Sequence, residues 1–554
     1  MLQAQPVSAS ADLSERVSEW LALYGSPTAS AAWLLCDGHD PAKVAYRIVA
    51  EDLSSHDLTY RALREDSERV AAALASLGVR PGDRVATLMG KSREYLVTLM
   101  GIWRLGAVHV PLFTAFASPA IQFRLQASGT RIIVVDPTQL PKLTELDGSP
   151  VRIITTGPAT GDALNFHQLL GSFEPGFPAA VLGGDAPFIQ IYTSGTTGKP
   201  KGVVVPIRAL ASFRAYVEFG LDLRSDDIYW CAADPGWAYG LYFGVLASFS
   251  TGTMGVLVQG GFSPAVTLAV LERYGVTNFA AAPTVYRALR ASNLVRTPGM
   301  RLRCASSAGE PLTPDVNAWA TSSLGIAVHD HYGQTETGML VNNHHHQALR
   351  CPLKAGSMGS VMPGWKAAIL HQDRDEPTPH GTVGRLAFEL GQSPLAWFTG
   401  YRNDPEKSAE KFTRDGCWYL TGDVAQMDDE GYLYFSSRDD DVIIMAGYRI
   451  GPFEVESVLA THSAVVESAV IAAPDAVRGE VLEAFVVLRP GVSGTNELAQ
   501  ELQRWVKTHF AAHAYPRTVH FADSLPKTPS GKVQRFVLRE RRRAELAETT
   551  PDSR

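Results

Sequence analysis

Helical and strand-like periodicity alternate through residues 60–155, and that alternation limits the fold more than any other property of the chain. Leu63, Val70, Leu74 and Leu77 fall on one helical face, and Gly78 stops the run. Pro81-Gly82-Asp83 then turns into a strand-like stretch from Arg84 to Met89. A second helical stretch, Glu94 to Leu105, ends at Gly106 and leads to Ala107-Val-His-Val110. Short apolar runs recur at Arg131 to Asp136 and at Val151 to Thr155. Strands of continuous apolar residues separated by helices predict a parallel sheet covered on both faces.

Composition narrows the setting. The 554 residues carry 50 Lys+Arg against 57 Asp+Glu, a net charge of −7, so there is no overall field to gather nucleic acid or anionic lipid. The basic cluster Arg539 to Arg543 reads as a solvated helix face. With 45% hydrophobic residues, the chain is far from the composition of intrinsic disorder. The five cysteines (Cys36, Cys231, Cys304, Cys351, Cys417) are scattered without a Cys-x-x-Cys pair, against a disulfide framework or a zinc ribbon. Met1 to Glu19 lacks the basic-then-apolar order of a signal peptide. Pro235 to Leu271 is free of charge, but Gly236, Gly240, Gly244 and Ser248 to Thr253 interrupt it, which predicts a buried helix, turn and strand. A cytoplasmic protein follows, with no nucleic-acid partner and no stable membrane insertion.

A different texture begins near residue 430. Asp428-Asp-Glu-Gly431 turns into a strand-like Tyr432 to Phe435, and the charged Arg438-Asp-Asp-Asp441 comes next. Strand-like runs at Ser468 to Ala472 and Ala484 to Leu488 precede a helix from Glu497 to Phe510, with Asn496 as N-cap. The expected fold class is α/β: a large multi-subdomain N-terminal body of parallel-rich sheets flanked by helices, and a small mobile α+β C-terminal domain. The body would span 1–438, the hinge 439–441 and the C-terminal domain 442–554.

The chemistry is concentrated in Tyr192-Thr-Ser-Gly-Thr-Thr-Gly-Lys-Pro-Lys-Gly202, which leaves the apolar run Phe188 to Ile191. Glycines admit an anion close to the backbone, hydroxyls donate and lysines add charge, a set suited to polyphosphate. It is not a Walker A loop, because Gly195 and Gly198 are too close and Pro200 follows Lys199.

This segment resembles the phosphate-binding signature of the adenylate-forming superfamily, and further signatures follow in that family's order. Ser307-Ala-Gly-Glu-Pro-Leu312 is similar to its adenine-contacting stretch, and Tyr332-Gly-Gln-Thr-Glu-Thr337 to the next motif. Tyr419-Leu-Thr-Gly-Asp423 resembles the ribose segment, Arg438 to Arg449 the hinge and C-terminal core, and Pro526 to Lys532 the catalytic-lysine motif. Ala233-Asp-Pro-Gly-Trp237, Gly356 to Gly359 and Gly447 to Glu456 look most like medium-chain acyl-CoA synthetases.

The resemblance implies an ATP-dependent carboxylic acid–CoA ligase that forms an acyl-adenylate and then a thioester, with ATP, Mg2+ and CoA as cofactors. Nucleotide would be held by Thr193, Ser194, Gly195, Thr196, Thr197, Gly198, Lys199 and Lys201, by Gly309, Glu310 and Pro311, and by Tyr332, Gln334, Asp423 and Arg438. Crowding a carboxylate against a triphosphate needs cations. Glu336 would hold Mg2+, with a helix-start carboxylate as its alternative, and Thr335 would reach the α-phosphate. Asp423 would accept the ribose hydroxyls, Arg438 would reach ribose or phosphate, and Tyr332 would stack on adenine or pack in the core. Lys532, in a Ser-Gly loop, would bridge carboxylate and α-phosphate; its exposed motif would also suit a lysine acetyltransferase, which would cancel the charge. Rotation at Asp440 would bring Ala446, Gly447, Tyr448 and Arg449 to the CoA side.

For the acid, short-acyl relatives place a tryptophan where this chain has Gly333, so depth for a longer acid is expected there. Trp237 and Tyr239 would line the pocket; Phe213, Tyr216 and Phe243 lie in the same segments and fit core packing as well. An uncharged medium-chain or aryl acid is the expected substrate. Asp234 resembles an amine-holding aspartate, but its Asp-Pro-Gly-Trp setting fits the acyl-CoA group better. His344-His-His346 reads as a loop beside the site, since three consecutive histidines cannot face one ion and no second cluster is evident. Two other functions compete: an adenylating enzyme that passes the acyl group to a carrier protein or amine, and a non-catalytic nucleotide sensor.

Overall fold

The computed structural model describes residues 9–144, 151–193, 200–292, 297–439, 441–445, 448–475, 479–511, 514–528 and 531–549. The alternating first third forms a seven-stranded sheet. Its order is Leu164–Asn165, Arg152–Thr155, Ile132–Val135, Arg84–Leu88, Val108–Pro111, Pro187–Tyr192 and Gly202–Pro206. Every neighbouring pair is parallel except the last, a hairpin. Local chemistry sets the flanking helices. Thr59 caps Tyr60–Ser76, Ser92 caps Arg93–Leu105, and Gly106 closes the second helix with a φ of 78°. Arg104 is buried in that helix and satisfied by Asp37 and by the Ser67 hydroxyl.

A thirteen-stranded sheet forms the rest of the body. Its centre is parallel from Val328–Gln334 through Cys304–Ala308, Asn278–Ala281, Ile228–Cys231 and Met254–Val258 to Val44–Val49. Beyond Val328–Gln334 it turns antiparallel, through Gly338–Asn342 and Ser357–Val361 to Leu433–Arg438 and Trp418–Met427. The uncharged segment supplies the helix Leu246–Thr251 and the buried strand Met254–Val258, as expected.

Leu433–Arg438 is the last strand of this large sheet, and Ile443–Met445 opens a separate five-stranded one with Tyr448–Ile450, Val465–Asp475, Gly479–Leu488 and Thr518–Phe521. The helix Asn496–His509 buries Leu502 and Val506 against that sheet's core; its cap is Thr495, one residue before Asn496, with the Thr495 side chain accepting from the Leu498 amide. The basic cluster is also more than a solvated face. In Arg535–Thr549, Arg539 pairs with Asp441 and Arg542 with Glu483 at 2.7 Å, which fastens the last helix to its domain.

Candidate active site

One hairpin carries most of the site. Val328–Gln334 pairs antiparallel with Gly338–Asn342. Thr335, Glu336 and Thr337 form the tip, closed by the Thr337 amide donating to the Gln334 carbonyl at 3.2 Å. Glu336 therefore sits on a β-turn and not at a helix start. Side chains alternate across a strand, and here the two faces serve different neighbours. Tyr332 and Gln334 point to Asp423: the Tyr332 hydroxyl and the Gln334 amide, at 2.7 Å, both donate to its Oδ2. Gln334 is fixed from behind by the Tyr419 hydroxyl at 2.8 Å. Asp423 is 5% exposed and faces Arg438 across the sheet, Nε to Oδ1 3.6 Å. The structure thus gathers Tyr332, Gln334, Asp423 and Arg438 from three strands.

The glycine-rich segment is the loop of the Pro187–Tyr192/Gly202–Pro206 hairpin, its base closed by the Thr193 amide donating to the Lys201 carbonyl at 3.0 Å. Ser194, Gly195, Thr196, Thr197, Gly198 and Lys199 lie outside the described residues. Lys201 reaches back over the Tyr401 ring, 5.0 Å from its centre, and the Tyr401 hydroxyl donates to Glu336 Oε1 at 2.7 Å. Glu336 is 7% exposed. The end of the phosphate-type loop and the carboxylate are therefore joined through one aromatic side chain. Tyr401 went unnoticed in the sequence because it lies in Phe398-Thr-Gly-Tyr401, a stretch without periodicity; its position depends on a bridge to Val203 that only the fold creates.

Lys411 is a second residue that the sequence did not reveal. Its ammonium donates to the Thr421 carbonyl at 2.8 Å. Burial lowers its pKa, while the carboxylates of Glu336 and Asp423 pull it back up. It is a fixed positive charge that feels both acidic groups of the site.

Gly309 follows the strand Cys304–Ala308 with a φ of +102°, and a side chain there would meet nothing within 4 Å. The adjoining Glu310 is held by Arg287 at 3.0 Å, and Pro311 follows it. Lys532 approaches from the C-terminal domain. Its loop is pinned by the Thr528 amide donating to the Lys532 carbonyl at 2.7 Å, and Gly531 turns it at a φ of +85°. A Cβ at Gly531 would lie 3.3 Å from Thr284 of the body, so Gly531 rests against the other domain. The Lys532 side chain keeps contact with solvent, yet protein crowds its ammonium and lowers its pKa; Glu310 acts against that shift, Arg438 adds to it, and Asp423 and Glu336 again oppose it. The lysine is thus in the field of the groups assigned to nucleotide and metal.

Asp440, Ala446 and Gly447 lie outside the described residues. Their neighbour Asp441 is paired with Arg539 and, at 3.6 Å, with Arg535. Tyr448 and Arg449 belong to the strand Tyr448–Ile450, hairpin partner of Ile443–Met445.

On the hairpin's other face, Gly333 does not open the depth expected of it. A bulge at Tyr332/Gly333 brings the partner strand close, and a Cβ at Gly333 would lie 2.2 Å from the Gly338 carbonyl oxygen and 2.7 Å from the Met339 sulfur. The missing side chain is needed for this approach and leaves no void in that direction. Gly333→Ala should cost about 1–3 kcal/mol of stability, read as a lower denaturant midpoint at unchanged slope; a neutral substitution would show that the strands have room to part. Phe213 and Phe243 are fully buried core, with Phe213 stacked on Tyr242 at 4.3 Å. Trp237 and Tyr239 are partly accessible. Asp234 spends Oδ1 on the Gly236 amide at 2.7 Å, a turn role.

The histidine run has company that the sequence did not show. His345 lies beside His329 and His331, and the candidate ligand atoms of the three fall within 4.8 Å of one another. They do not converge, however: the rings of His329 and His345 stack at 3.7 Å and 15°, so their in-plane lone pairs run side by side. His329 and His331 both also engage the Asn343 carbonyl, at 2.6 and 3.1 Å. Burial lowers the pKa of His329 and His344 to about 4 and that of His331 well below the ordinary histidine value, leaving neutral rings.

The chain is similar to known proteins along most of its length. Residues 38–395 match the model of the AMP-binding enzyme family, and 454–532 match the AMP-binding enzyme C-terminal domain. The acetyl-coenzyme A synthetase of Bacillus subtilis (strain 168) is 37% identical over 492 residues, covering 87% of this chain and 84% of that one. The mitochondrial acyl-coenzyme A synthetase ACSM4 of Rattus norvegicus is 36% identical, covering 84% and 80%. The crystal structure of the Brucella canis acyl-CoA synthetase is 40% identical with a TM-score of 0.75, covering 97% of this chain and 99% of that one. The chain belongs to the AMP-binding enzyme family.

Proposed function

We propose that this AMP-forming acid–CoA ligase activates an uncharged medium-chain or aryl carboxylic acid, with adenylation at the hairpin tip and thioester formation after its C-terminal domain turns. The observation that carries the reading is the convergence of Lys532, Glu336, Asp423 and Arg438, from four separate stretches of chain, on one electrostatic neighbourhood.

Asp423 has its Oδ2 oriented by two donors, so its carboxylate is set in advance to accept ribose hydroxyls. Glu336 offers carboxylate oxygen, the donor that Mg2+ prefers, and its Oε1 is oriented by Tyr401. When bound there, Mg2+ supplies charge neutralisation to the triphosphate. Thr335 lies beside it with its carbonyl taken by the Tyr242 hydroxyl at 3.2 Å, which holds the turn against the acid-side helix. Lys201, over the Tyr401 ring, and Lys411, on the Thr421 carbonyl, add positive charge, and Lys532 adds a third cation where charge builds between carboxylate and α-phosphate. Attack of the acid oxygen on the α-phosphorus forms the acyl–phosphate bond as the bond to pyrophosphate breaks. The CoA thiolate then displaces AMP from the acyl carbon.

Lys532 on the body side corresponds to the adenylating orientation. Turning at Asp440 withdraws it and presents Ala446 to Arg449. The solvent contact of Lys532 also fits a lysine acetyltransferase as partner. Free cysteines, with Cys351 and Cys417 exposed, fit the cytoplasm as the compartment. Among the described residues, no helix is long and apolar enough to cross a membrane.

The test is AMP and acyl-CoA formation across straight-chain C2 to C12, benzoic and cinnamic-type acids. Best turnover in the C6 to C10 or aryl range is expected. Best turnover on acetate or propionate would assign the pocket to short acids instead.

A further inference from the structure

We propose that His331, Tyr216 and Tyr239 form a hydrogen-bond chain of fixed direction that selects acids carrying a neutral hydrogen-bond donor, a hydroxyl or an aryl N–H, at the end remote from the carboxylate. The inference rests on the ligase reading above and sharpens its substrate class.

The direction follows from one carbonyl. The Asn343 backbone oxygen can only accept, and His331 Nε2 lies 3.1 Å from it, so Nε2 carries the proton. The ring is buried and neutral, because burial drives its pKa far below the ordinary histidine range. Nδ1 is then a bare acceptor, and the Tyr216 hydroxyl donates to it at 2.7 Å. Having spent its proton there, the Tyr216 oxygen can only accept from the Tyr239 hydroxyl, 2.9 Å away. Tyr239 ends the chain with its proton committed inward. Its oxygen has a lone pair to offer and no other hydrogen-bond partner among the described residues.

Position puts that oxygen on the acid's side of the site. His331 shares the strand Val328–Gln334 with the nucleotide-facing residues but lies on the opposite face, ~10 Å back from the strand's end at the usual rise per residue. Tyr239 begins the helical segment whose Tyr242, one turn on, donates to the Thr335 carbonyl beside Glu336. One short helix thus runs from the chain's end to the reaction centre. The packing behind the chain is apolar: the buried Phe243 ring lies 4.5 Å from Tyr216 and 5.3 Å from Tyr239. Tyr239 is partly accessible, whereas Tyr216 and His331 are sealed behind it. A lone acceptor on a partly accessible residue with apolar packing behind it rewards a donor and penalises a methyl group that leaves it unpaired. The neutral imidazoles offer no countercharge to an ammonium.

The experiment compares kcat/KM for acids paired as isosteres, hydroxyl against methyl, on the para position of benzoic and cinnamic acids and on the ω-carbon of C6 to C12 acids. The wild-type enzyme should favour the hydroxyl member by about tenfold or more at one length. Tyr239→Phe should remove that preference. Tyr216→Phe should invert it toward methoxy or keto ends, since the Tyr239 proton, no longer taken inward, turns to the substrate. Preference for methyl at every length in the wild type would overturn the inference while leaving the ligase intact. So would a hydroxyl preference that survives in Tyr239→Phe. Absence of acid-dependent turnover throughout the series, from folded enzyme, would overturn the ligase reading and this inference together.

Discussion

Replacing Lys532 with alanine is expected to lower the adenylation rate by three orders of magnitude or more, while thioester formation from supplied acyl-AMP stays within a few-fold of the wild type. The size follows from removing a preorganised charge from the point where charge develops, where a single donor is worth about 10²–10³ and a full cation more. The split follows from geometry. In the orientation described, Lys532 is in the field of Glu310, Asp423 and Glu336, and its loop lies against Thr284. On the function proposed above, that arrangement serves the first half-reaction and is dismantled for the second. The same lysine predicts a pH signature. Crowding lowers its pKa from the ordinary lysine value of 10.5, and the charged form is the active one. Adenylation should therefore fall as pH rises through a value below 10.5, and thioester formation from acyl-AMP should lack that limb. Separate stopped-flow assays of pyrophosphate release and CoA consumption read both effects. Equal loss of the two half-reactions in Lys532→Ala would contradict the division of labour.

Glu336→Gln is expected to cost adenylation about 10²–10³-fold and to raise the Mg2+ concentration needed for half-maximal rate. The substitution is nearly isosteric, and the Tyr401 hydroxyl can still donate to the amide oxygen, so the hairpin tip should keep its shape. What disappears is a carboxylate that is almost buried, at 7% exposure, and acts on the Lys411 ammonium. Titrating Mg2+ against the initial rate of pyrophosphate release separates the metal effect from a general loss. An unchanged metal dependence with a depressed rate would place the cation on other ligands.

Much of this architecture was legible because it is written in local chemistry. The helix Tyr60–Ser76 and the strand Arg84–Leu88 follow from apolar spacing and from Pro81-Gly82-Asp83, and the strands of the first sheet are continuous apolar runs. The site motifs were legible as motifs, each a short stretch with its own composition. What the sequence could not show is what one motif does to another. Tyr401 orients Glu336 only because a β-bridge carries it to Val203. His331 becomes an acceptor only because Asn343, on the neighbouring strand, offers a carbonyl. Gly333 belongs with them: its missing side chain reads as space in the sequence, and in the fold the bulged partner strand crowds the Cβ position. Thr495 displaced Asn496 as a cap by a single residue, the usual scale of uncertainty at a helix end.

The proposed reaction joins acid to AMP at one site before CoA takes part. Exchange of labelled pyrophosphate into ATP, measured with acid present and CoA absent, tests it most directly. Exchange should require both acid and Mg2+, proceed without CoA and be lost in Lys532→Ala. Acyl-CoA formation that proceeds without any such exchange would contradict it, because the acid would then reach CoA by a route that forms no adenylate.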